Sequence, residues 1–125
     1  HALMNFYVRV VTRDQFDEWL EGQRRVAESP IEPAAQRGAA LFLTSGCGAC
    51  HTLRGTSARG IVGPDLTHFG SRRSVGAGTL PNNRESIRYW LQHTDHIKPQ
   101  AEMPAFRVLG EEHLGDLSAY LEQLK

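Results

Sequence analysis

The residues with the most evident chemistry form the run Cys47-Gly48-Ala49-Cys50-His51, which has the spacing C-x-x-C-H. Two thiols on one turn of backbone can form thioethers with the two vinyl groups of a porphyrin, and the imidazole that follows can then bind the iron. The motif therefore predicts one covalently attached c-type haem. Cys47 and Cys50 would be its thioether anchors, and His51 would be an axial ligand.

Other interpretations of the two cysteines have to be weighed against haem. A thioredoxin-like redox pair is typical of a βαβ context, whereas the residues on either side of this motif predict a helix and a loop. A zinc site requires further ligands at paired spacing, and the chain has no second pair of cysteines. Two structural cysteines that lie together by chance are the third alternative. Two cysteines are too few for a disulfide scaffold, so a chemical role is favoured.

A sixth iron ligand must come from elsewhere in the chain. The candidates are two methionines and four histidines, namely Met4, Met103, His68, His93, His96 and His113. Met103 lies in I-K-P-Q-A-E-M-P-A-F, an irregular segment between two predicted helices, and methionine beside proline in a loop is a poor core position. We therefore favour Met103. His/Met ligation closes both axial positions, raises the reduction potential and favours electron transfer over oxygen chemistry.

Length and charge exclude several classes of protein. The 125 residues suffice for one domain, and the 14 basic and 14 acidic side chains cancel. This balance predicts neither nucleic-acid binding nor a polybasic membrane anchor. The apolar runs fall far short of the roughly 20 residues that a membrane span needs. Because a natural chain would not begin at His1, we expect a piece of a longer protein whose signal peptide or anchor lies outside it.

Hydrophobic periodicity divides the chain into three segments. In residues 1–23 we expect a strand from Met4 to Val11 and then a short helix capped by Thr12 and closed by Gly22. Residues 24–33 contain two prolines in A-E-S-P-I-E-P and are predicted to be a linker. Residues 34–125 are predicted to be a mainly α domain.

The predicted domain contains three longer helices and a long loop region. The helices cover about residues 34–44, a stretch that begins after an Asn82 or Asn83 cap, and residues 111–124. Their inner faces carry Gly38, Leu41 and Phe42, then Ile87, Trp90 and Leu91, then Leu114, Leu117, Tyr120, Leu121 and Leu124. Residues 52–81 lack a clear period, and a loop of this length in a compact domain is expected to surround something or to carry function.

Over residues 34–125 these features resemble class I cytochromes c. The matching motifs are C-G-A-C-H, G-P-D-L at residues 63–66, K-P-x-x-x-M, and the three helices with their inner residues. The resemblance implies a class I cytochrome c fold around one covalent haem, in which the first and last helices cross closely at Gly38. It also implies that the carbonyl of Pro64 accepts the Nδ1–H of His51. Trp90 would pack against the haem on the methionine side, or serve as plain core.

A narrower resemblance concerns the run V-G-P-D-L-T-H-F-G-S-R-R-S-V-G-A-G-T-L-P-N-N. It is similar to the haem domain fused to subunit II of caa3-type cytochrome c oxidases. His1-Ala2-Leu3-Met4, the strand and the Phe16/Trp19 helix are similar, in that order, to the end of the cupredoxin domain that precedes it there. Residues 1–23 would then be the C-terminal end of a domain that holds a dinuclear copper centre. The upstream copper ligands are absent, so this chain itself is expected to bind no copper.

The narrower resemblance implies an electron-transfer domain. It would accept electrons from a soluble carrier protein, such as a small cytochrome c, and pass them to the copper centre of the same subunit. Other oxidase subunits would reduce oxygen and pump protons, with the domain at the outer face of the bacterial cytoplasmic membrane. The alternatives are a haem c electron-entry domain of another respiratory complex or dehydrogenase, and a gas sensor whose methionine dissociates.

Two details of the resemblance carry separate expectations. Arg72 and Arg73 are placed to reach the haem propionates, although ordinary surface arginines are the simpler interpretation. Gln100 stands where many relatives have glycine after the proline, so the turn is expected to avoid a positive φ there.

Overall fold

The computed structural model describes residues 6–125, and helices dominate it. They are α1 (Arg13–Arg24), α2 (Pro33–Thr44), α3 (Cys47–Cys50), α4 (Arg84–Ile97) and α5 (Gly110–Gln123). The two strands, β1 (Ser74–Val75) and β2 (Leu80–Pro81), pair antiparallel as a small hairpin. The prediction of a mainly α fold is therefore confirmed. In this part of the chain, no helix combines the length and the apolar character needed to cross a bilayer.

Helices α2 and α5 cross at Gly38, where their backbones come into direct contact. A Cβ atom at Gly38 would lie 2.1 Å from the carbonyl oxygen of Asp116 and 2.8 Å from the Cβ atom of Tyr120. The rings of Phe42 and Tyr120 meet edge to face next to this contact, with 5.9 Å between their centroids. The close crossing predicted for Gly38 and Phe42 is present.

An ion pair at the edge of the crossing also connects α2 and α5. The guanidinium of Arg37 donates two hydrogen bonds to the carboxylate of Asp116, at 2.8 Å and 2.7 Å. The side chain of Asp116 is only 6% exposed, so this carboxylate would be costly to bury without its partner. The bidentate geometry sets the register of α5 along α2.

The core lies where α2, α4 and α5 meet the loops of residues 52–81. Helix α4 is capped by Asn83, one of the two predicted caps, whose side chain accepts a hydrogen bond from the backbone N–H of Ser86 at 2.9 Å. Ile87 and Leu91 of this helix are buried and Trp90 is half-buried. Side chains from all parts of the domain complete the core, among them Ala35, Leu53, Leu66, Val75, Leu114, Leu117, Leu121 and Leu124.

The N-terminal segment differs from its prediction. Residues 6–11 form no strand, and Phe6, Val8 and Val10 are 82%, 79% and 94% exposed. The predicted strand is wrong for these residues, because residues 6–125 contain no strand beside them that could accept and donate its backbone hydrogen bonds. Residues 4 and 5 of that prediction lie outside the described residues.

Helix α1 confirms the predicted cap but not the predicted end. Thr12 and Gln15 form a reciprocal capping box at its start. The helix continues past Gly22 to Arg24. Glycine inside a helix costs only about 1 kcal/mol relative to alanine, and the carbonyl groups of the last turn accept hydrogen bonds from Arg54.

Replacing Gly38 tests how strongly the crossing limits the fold. Gly38→Ala puts a methyl group into the backbone of Asp116 and should lower the free energy of unfolding by on the order of 2–3 kcal/mol. Urea denaturation of the haem-loaded protein measures this loss. Gly115→Ala, on α5, is the matched control because its Cβ would meet no atom within 4 Å. It should be neutral or stabilise by up to about 1 kcal/mol. Equal losses from both variants would contradict the steric account.

Candidate haem site

The two cysteines lie one turn apart on the short helix α3. Gly46, with φ of +81°, reverses the chain after α2 and starts this turn. Both thiols are free, with Cys47 half-buried and Cys50 exposed. Residues three apart in a helix project from the same side, so a single rigid turn presents both sulfur atoms together.

The loop that follows α3 packs against the backbone of this helix. Gly60 lies so close that an added Cβ would be 2.3 Å from the carbonyl carbon of Cys50. The backbone N–H of Gly60 donates to the carbonyl of Gly48 at 3.0 Å, and that of Gly63 donates to Cys50 at 2.7 Å. The attachment turn is therefore fixed by tertiary hydrogen bonds, which four helical residues alone would not supply.

The imidazole of His51 is oriented by the same loop. Its Nδ1 atom lies 2.7 Å from the carbonyl oxygen of Pro64, which can only accept, so the proton resides on Nδ1. The lone pair is then on Nε2, the atom available to a metal. Gly63 lies directly against the imidazole ring, since a Cβ atom added to Gly63 would be 2.5 Å from Cε1 of His51. The hydrogen bond that the resemblance implied is present.

The environment of the cysteines argues against the two alternative sites. Burial raises the pKa of the Cys47 thiol, with a smaller contribution in the same direction from Cys50. A thioredoxin-like nucleophile requires a lowered pKa instead. A zinc site is also unsupported, since no group of three or more His, Cys, Asp or Glu side chains within residues 6–125 is arranged to hold a metal ion.

Met103 lies in a segment whose C-terminal end is anchored on α4. Its side chain is half-buried and packs against the core. After the segment, the N–H of Phe106 donates to the carbonyl of Leu91 at 2.8 Å. The guanidinium of Arg107 donates to Asp95 of α4 at 2.6 Å, and this hydrogen bond holds the pKa of the carboxyl below its usual range. An irregular segment is thereby held in one place, as a ligand loop requires. Met4, the other methionine candidate, lies outside the described residues.

The turn ahead of Met103 corrects the expectation for Gln100. Its φ is +70°, in the left-handed region that was expected to be avoided. The N–H of Ala101 donates to the carbonyl of Lys98 at 3.1 Å, which closes a four-residue turn with Pro99 in second place. A type II turn of this kind requires a positive φ at the third residue. The hydrogen-bonded turn therefore prevails over the preference of the glutamine side chain.

Trp90 is covered by the β1–β2 hairpin. An added Cβ at Gly76 would lie 2.6 Å from Cζ3 of the indole, so the hairpin turn packs directly on the ring. The hairpin belongs to the long loop region in which sequence periodicity predicted no strand. Trp90 thus has one face against protein, as core packing predicts, and its predicted place in a haem pocket is untested by this contact.

The four histidine candidates have other surroundings. The ring of His93 lies against that of Tyr89 at a tilt of 48°, with 4.7 Å between the ring centroids, and His96 is exposed beside Asp95. His113 is exposed, with its Nδ1 atom 3.0 Å from the carbonyl of Leu109. The Nε2 atom of His68 is buried without a hydrogen-bond partner in this part of the chain.

The two arginines considered for the propionates contact protein groups. Arg72 donates to the carbonyl of Asp65 and lies over the ring of Phe69, 5.5 Å from its centroid. Arg73 lies 4.5 Å from the ring centroid of Tyr7. A different arginine, Arg54, makes the more extensive contacts. Sequence reasoning missed it because its partners are about thirty residues away in the chain.

These residues suit a covalently bound haem. They supply two free thiols on one turn, an imidazole with Nε2 available, and a half-buried thioether in an anchored segment. This donor set is the one expected of a c-type haem with His/Met ligation.

Comparison with known proteins establishes the family. The family model described as Cytochrome c matches residues 35–125. The chain therefore belongs to the cytochrome c family, and it is a haem-binding domain with the fold of that family.

Three relatives carry a more specific description, cytochrome c oxidase subunit 2. The chain is 38% identical over 125 residues to that of Alkalihalophilus pseudofirmus and 38% identical over 130 residues to that of Bacillus sp. PS3. It is 30% identical over 129 residues to that of Bacillus subtilis. The matches cover 100% of this chain, which spans 36% of the length of each relative.

The strained turn predicts a stabilising substitution. Gln100→Gly should raise the free energy of unfolding by up to about 1 kcal/mol, because glycine adopts a positive φ without the steric cost of a side chain. Thermal or urea unfolding of the haem-loaded protein measures the change. Glu102→Gly is the control in the same segment, where φ is not positive, and it should destabilise by about 0.4–1 kcal/mol. Destabilisation by Gln100→Gly would contradict the turn assignment.

Proposed function

We propose that this chain is the electron-transfer haem c domain of subunit II of a caa3-type cytochrome c oxidase. One haem is attached through Cys47 and Cys50, with His51 and Met103 as axial ligands. The observation that carries the proposal is the hydrogen bond of 2.7 Å from His51 Nδ1 to Pro64, on a turn with two free thiols. That bond leaves Nε2 available for iron.

The oxidase part of the proposal rests on the relatives. All three are described as cytochrome c oxidase subunit 2, and they match this chain along its whole length. Residues 1–23 are then the end of a copper-binding domain, residues 24–33 the connection, and residues 34–125 the haem domain. The dinuclear copper centre lies in the remainder of the subunit, and other subunits reduce oxygen and translocate protons. The domain works at the outer face of the cytoplasmic membrane.

The side chains of the site have distinct tasks. When bound, the haem supplies reversible one-electron chemistry at its iron. His51, fixed by Pro64, offers a neutral imidazole in a single orientation. Met103 would hold the iron through a soft thioether, which favours the ferrous state and electron transfer over oxygen chemistry. Trp90 forms part of the pocket wall on the methionine side.

Two exposed apolar side chains beside Cys50 support electron entry from a soluble carrier protein. Ile61 and Val62 are 91% and 70% exposed, and no charged residue occurs between Gly60 and Pro64. The loop that carries them is hydrogen-bonded to α3, so the exposure is built into the fold. An apolar contact at this edge would bring a carrier next to the thioether of Cys50.

The covalent attachment is tested by extraction. We expect haem to stay with the denatured protein in acidified acetone, and the reduced pyridine adduct to have the spectrum of two thioethers. Cys47→Ala should leave one thioether, and His51→Ala should abolish correctly folded holoprotein. The apoprotein should be largely unfolded, because bound haem stabilises only the folded state. Free haem in the organic phase would contradict the proposal.

The sixth ligand is tested by replacing Met103. Axial ligands set haem potentials over a range of about 0.8 V, so Met103→His should lower the potential by a substantial fraction of it. The weak far-red band of the oxidised Met-ligated haem should disappear, and Met103→Ala should open the site to carbon monoxide. In the intact oxidase, donor-driven oxygen consumption should fall with Met103→His.

Met4→Leu is the matched control for Met103. It should change neither the spectrum nor the potential. A far-red band that survives in Met103→Ala, or one that is lost in Met4→Leu, would show that the wrong methionine is named. His93 or His96 would then be the next candidates.

A further inference from the structure

The end of α1 is held on the haem domain by one side chain, Arg54. Its guanidinium donates to the carbonyl of Gln23 at 2.7 Å and to that of Arg24 at 3.2 Å. These carbonyls belong to the last turn of α1 and have no partner within the helix. The backbone carbonyl of Arg54 in turn accepts a hydrogen bond from Ala27 at 3.0 Å. One residue thus binds both the helix and the chain that follows it.

Arg54 is itself fixed by the haem domain. Its backbone N–H donates to the hydroxyl of Thr67 at 2.9 Å, and Thr67 is fully buried. The guanidinium lies 3.5 Å from the carboxylate of Asp65, in the loop that also carries Pro64. Since the arginine side chain is only 34% exposed, its hydrogen bonds to α1 are partly shielded from water.

The connection between α1 and α2 also lies against the domain. Val26 lies close to the backbone of Gly55. A Cβ atom added to Gly55 would be 3.0 Å from the Cβ atom of Val26. Ala27 packs against the core, and the side-chain amide of Gln36 donates to the carbonyls of Pro30 and Ile31 at 3.2 Å and 3.3 Å. A free linker of ten residues would have end-to-end distances on the order of 17 Å with a wide spread. The observed contacts instead hold the connection between α1 and α2 at one end-to-end distance.

Helix α1 also carries two partly exposed aromatic side chains, of which Trp19 lines a cavity together with Arg54, Asp65 and His68 of the haem domain. Phe16 and Trp19 lie side by side, with 5.7 Å between their ring centroids, and are 45% and 56% exposed. The segment of residues 6–10 adds further large apolar side chains to the exposed surface. Exposed apolar side chains of this kind mark a contact site for another part of a protein. A helix that is fixed at one end and carries such side chains can connect two domains rigidly.

We propose that Arg54 is a positioning residue that locks α1 onto the haem domain. The exposed side of α1 then packs on the copper-bearing part of the same subunit, so that haem and copper are held at one distance and orientation. The inference rests on the proposed function. Because electron tunnelling falls off steeply with distance, a fixed arrangement gives one fast rate, whereas a tethered domain gives a distribution of slower ones.

The test uses the full-length subunit in the intact oxidase, with Arg54→Met as the variant. Trypsin cleavage after Arg24 or Arg25 should become at least tenfold faster, because these bonds lie in the released segment. The haem-to-copper electron-transfer rate after rapid photoreduction should fall at least tenfold or become multiphasic. The haem potential, its absorption spectrum and the rate of reduction by a soluble cytochrome c should stay unchanged.

Two further variants make the test specific. Arg54→Lys keeps the charge but cannot donate to two carbonyls in a fixed fork, so it should restore the haem-to-copper rate only in part. Arg88→Met removes a surface arginine that pairs with Glu111 at 2.7 Å, away from α1, and should behave as the wild type. If Arg54→Met alters the haem spectrum, the haem site itself is disturbed and this variant is not used. The trypsin cleavage rate and the haem-to-copper rate of Arg54→Lys then test the positioning role.

The outcomes separate this inference from the function on which it rests. An unchanged trypsin rate in Arg54→Met overturns the lock itself. Faster cleavage with an unchanged haem-to-copper rate overturns the positioning role and leaves the proposed function intact. A wild-type haem that never reduces copper overturns the proposed function and the positioning role together. Faster cleavage with slowed electron transfer supports both.

Discussion

The contact of two helix backbones at Gly38 is the constraint on which the domain depends. Helix α2 leads directly into the attachment turn, and α5 supplies much of the core behind it. With hydrogen as the only side chain at the crossing, the helices approach until Asp116 meets Gly38, and the pair of Asp116 with Arg37 then fixes their register. The position of α3 follows from this crossing, because only Ser45 and Gly46 separate it from α2.

The haem site is built mainly from loops that hydrogen bonds hold in place. His51 depends on the carbonyl of Pro64, and the Met103 segment depends on Leu91 and on the ion pair of Asp95. Neither segment has regular structure of its own. Loops held in place on a small helical frame can present two thiols, an imidazole and a thioether from distant parts of the chain, which a single helix or strand would not permit.

Hydrophobic periodicity predicted the three longer helices, because each carries its apolar residues at helical spacing, and the resemblance to class I cytochromes c implied the crossing at Gly38, which is present. The donor set stays a prediction. Three features escaped prediction for physical reasons. The extended segment at Val8 lacks a strand partner, and Gln100 takes a positive φ because its turn demands it. The role of Arg54 depends on carbonyls of α1, far away in sequence, that no periodicity indicates.

The loop that closes over α3 has a consequence for the order of events in biosynthesis. With Gly60 against the backbone of the turn and Cys47 half-buried, a chain that folded first would present mainly Cys50 at its surface. Both thiols are equally accessible only while the loop is still open. If the proposed haem is attached through both thiols, they are easiest to reach before this loop closes over α3, so attachment would be expected to precede the last step of folding.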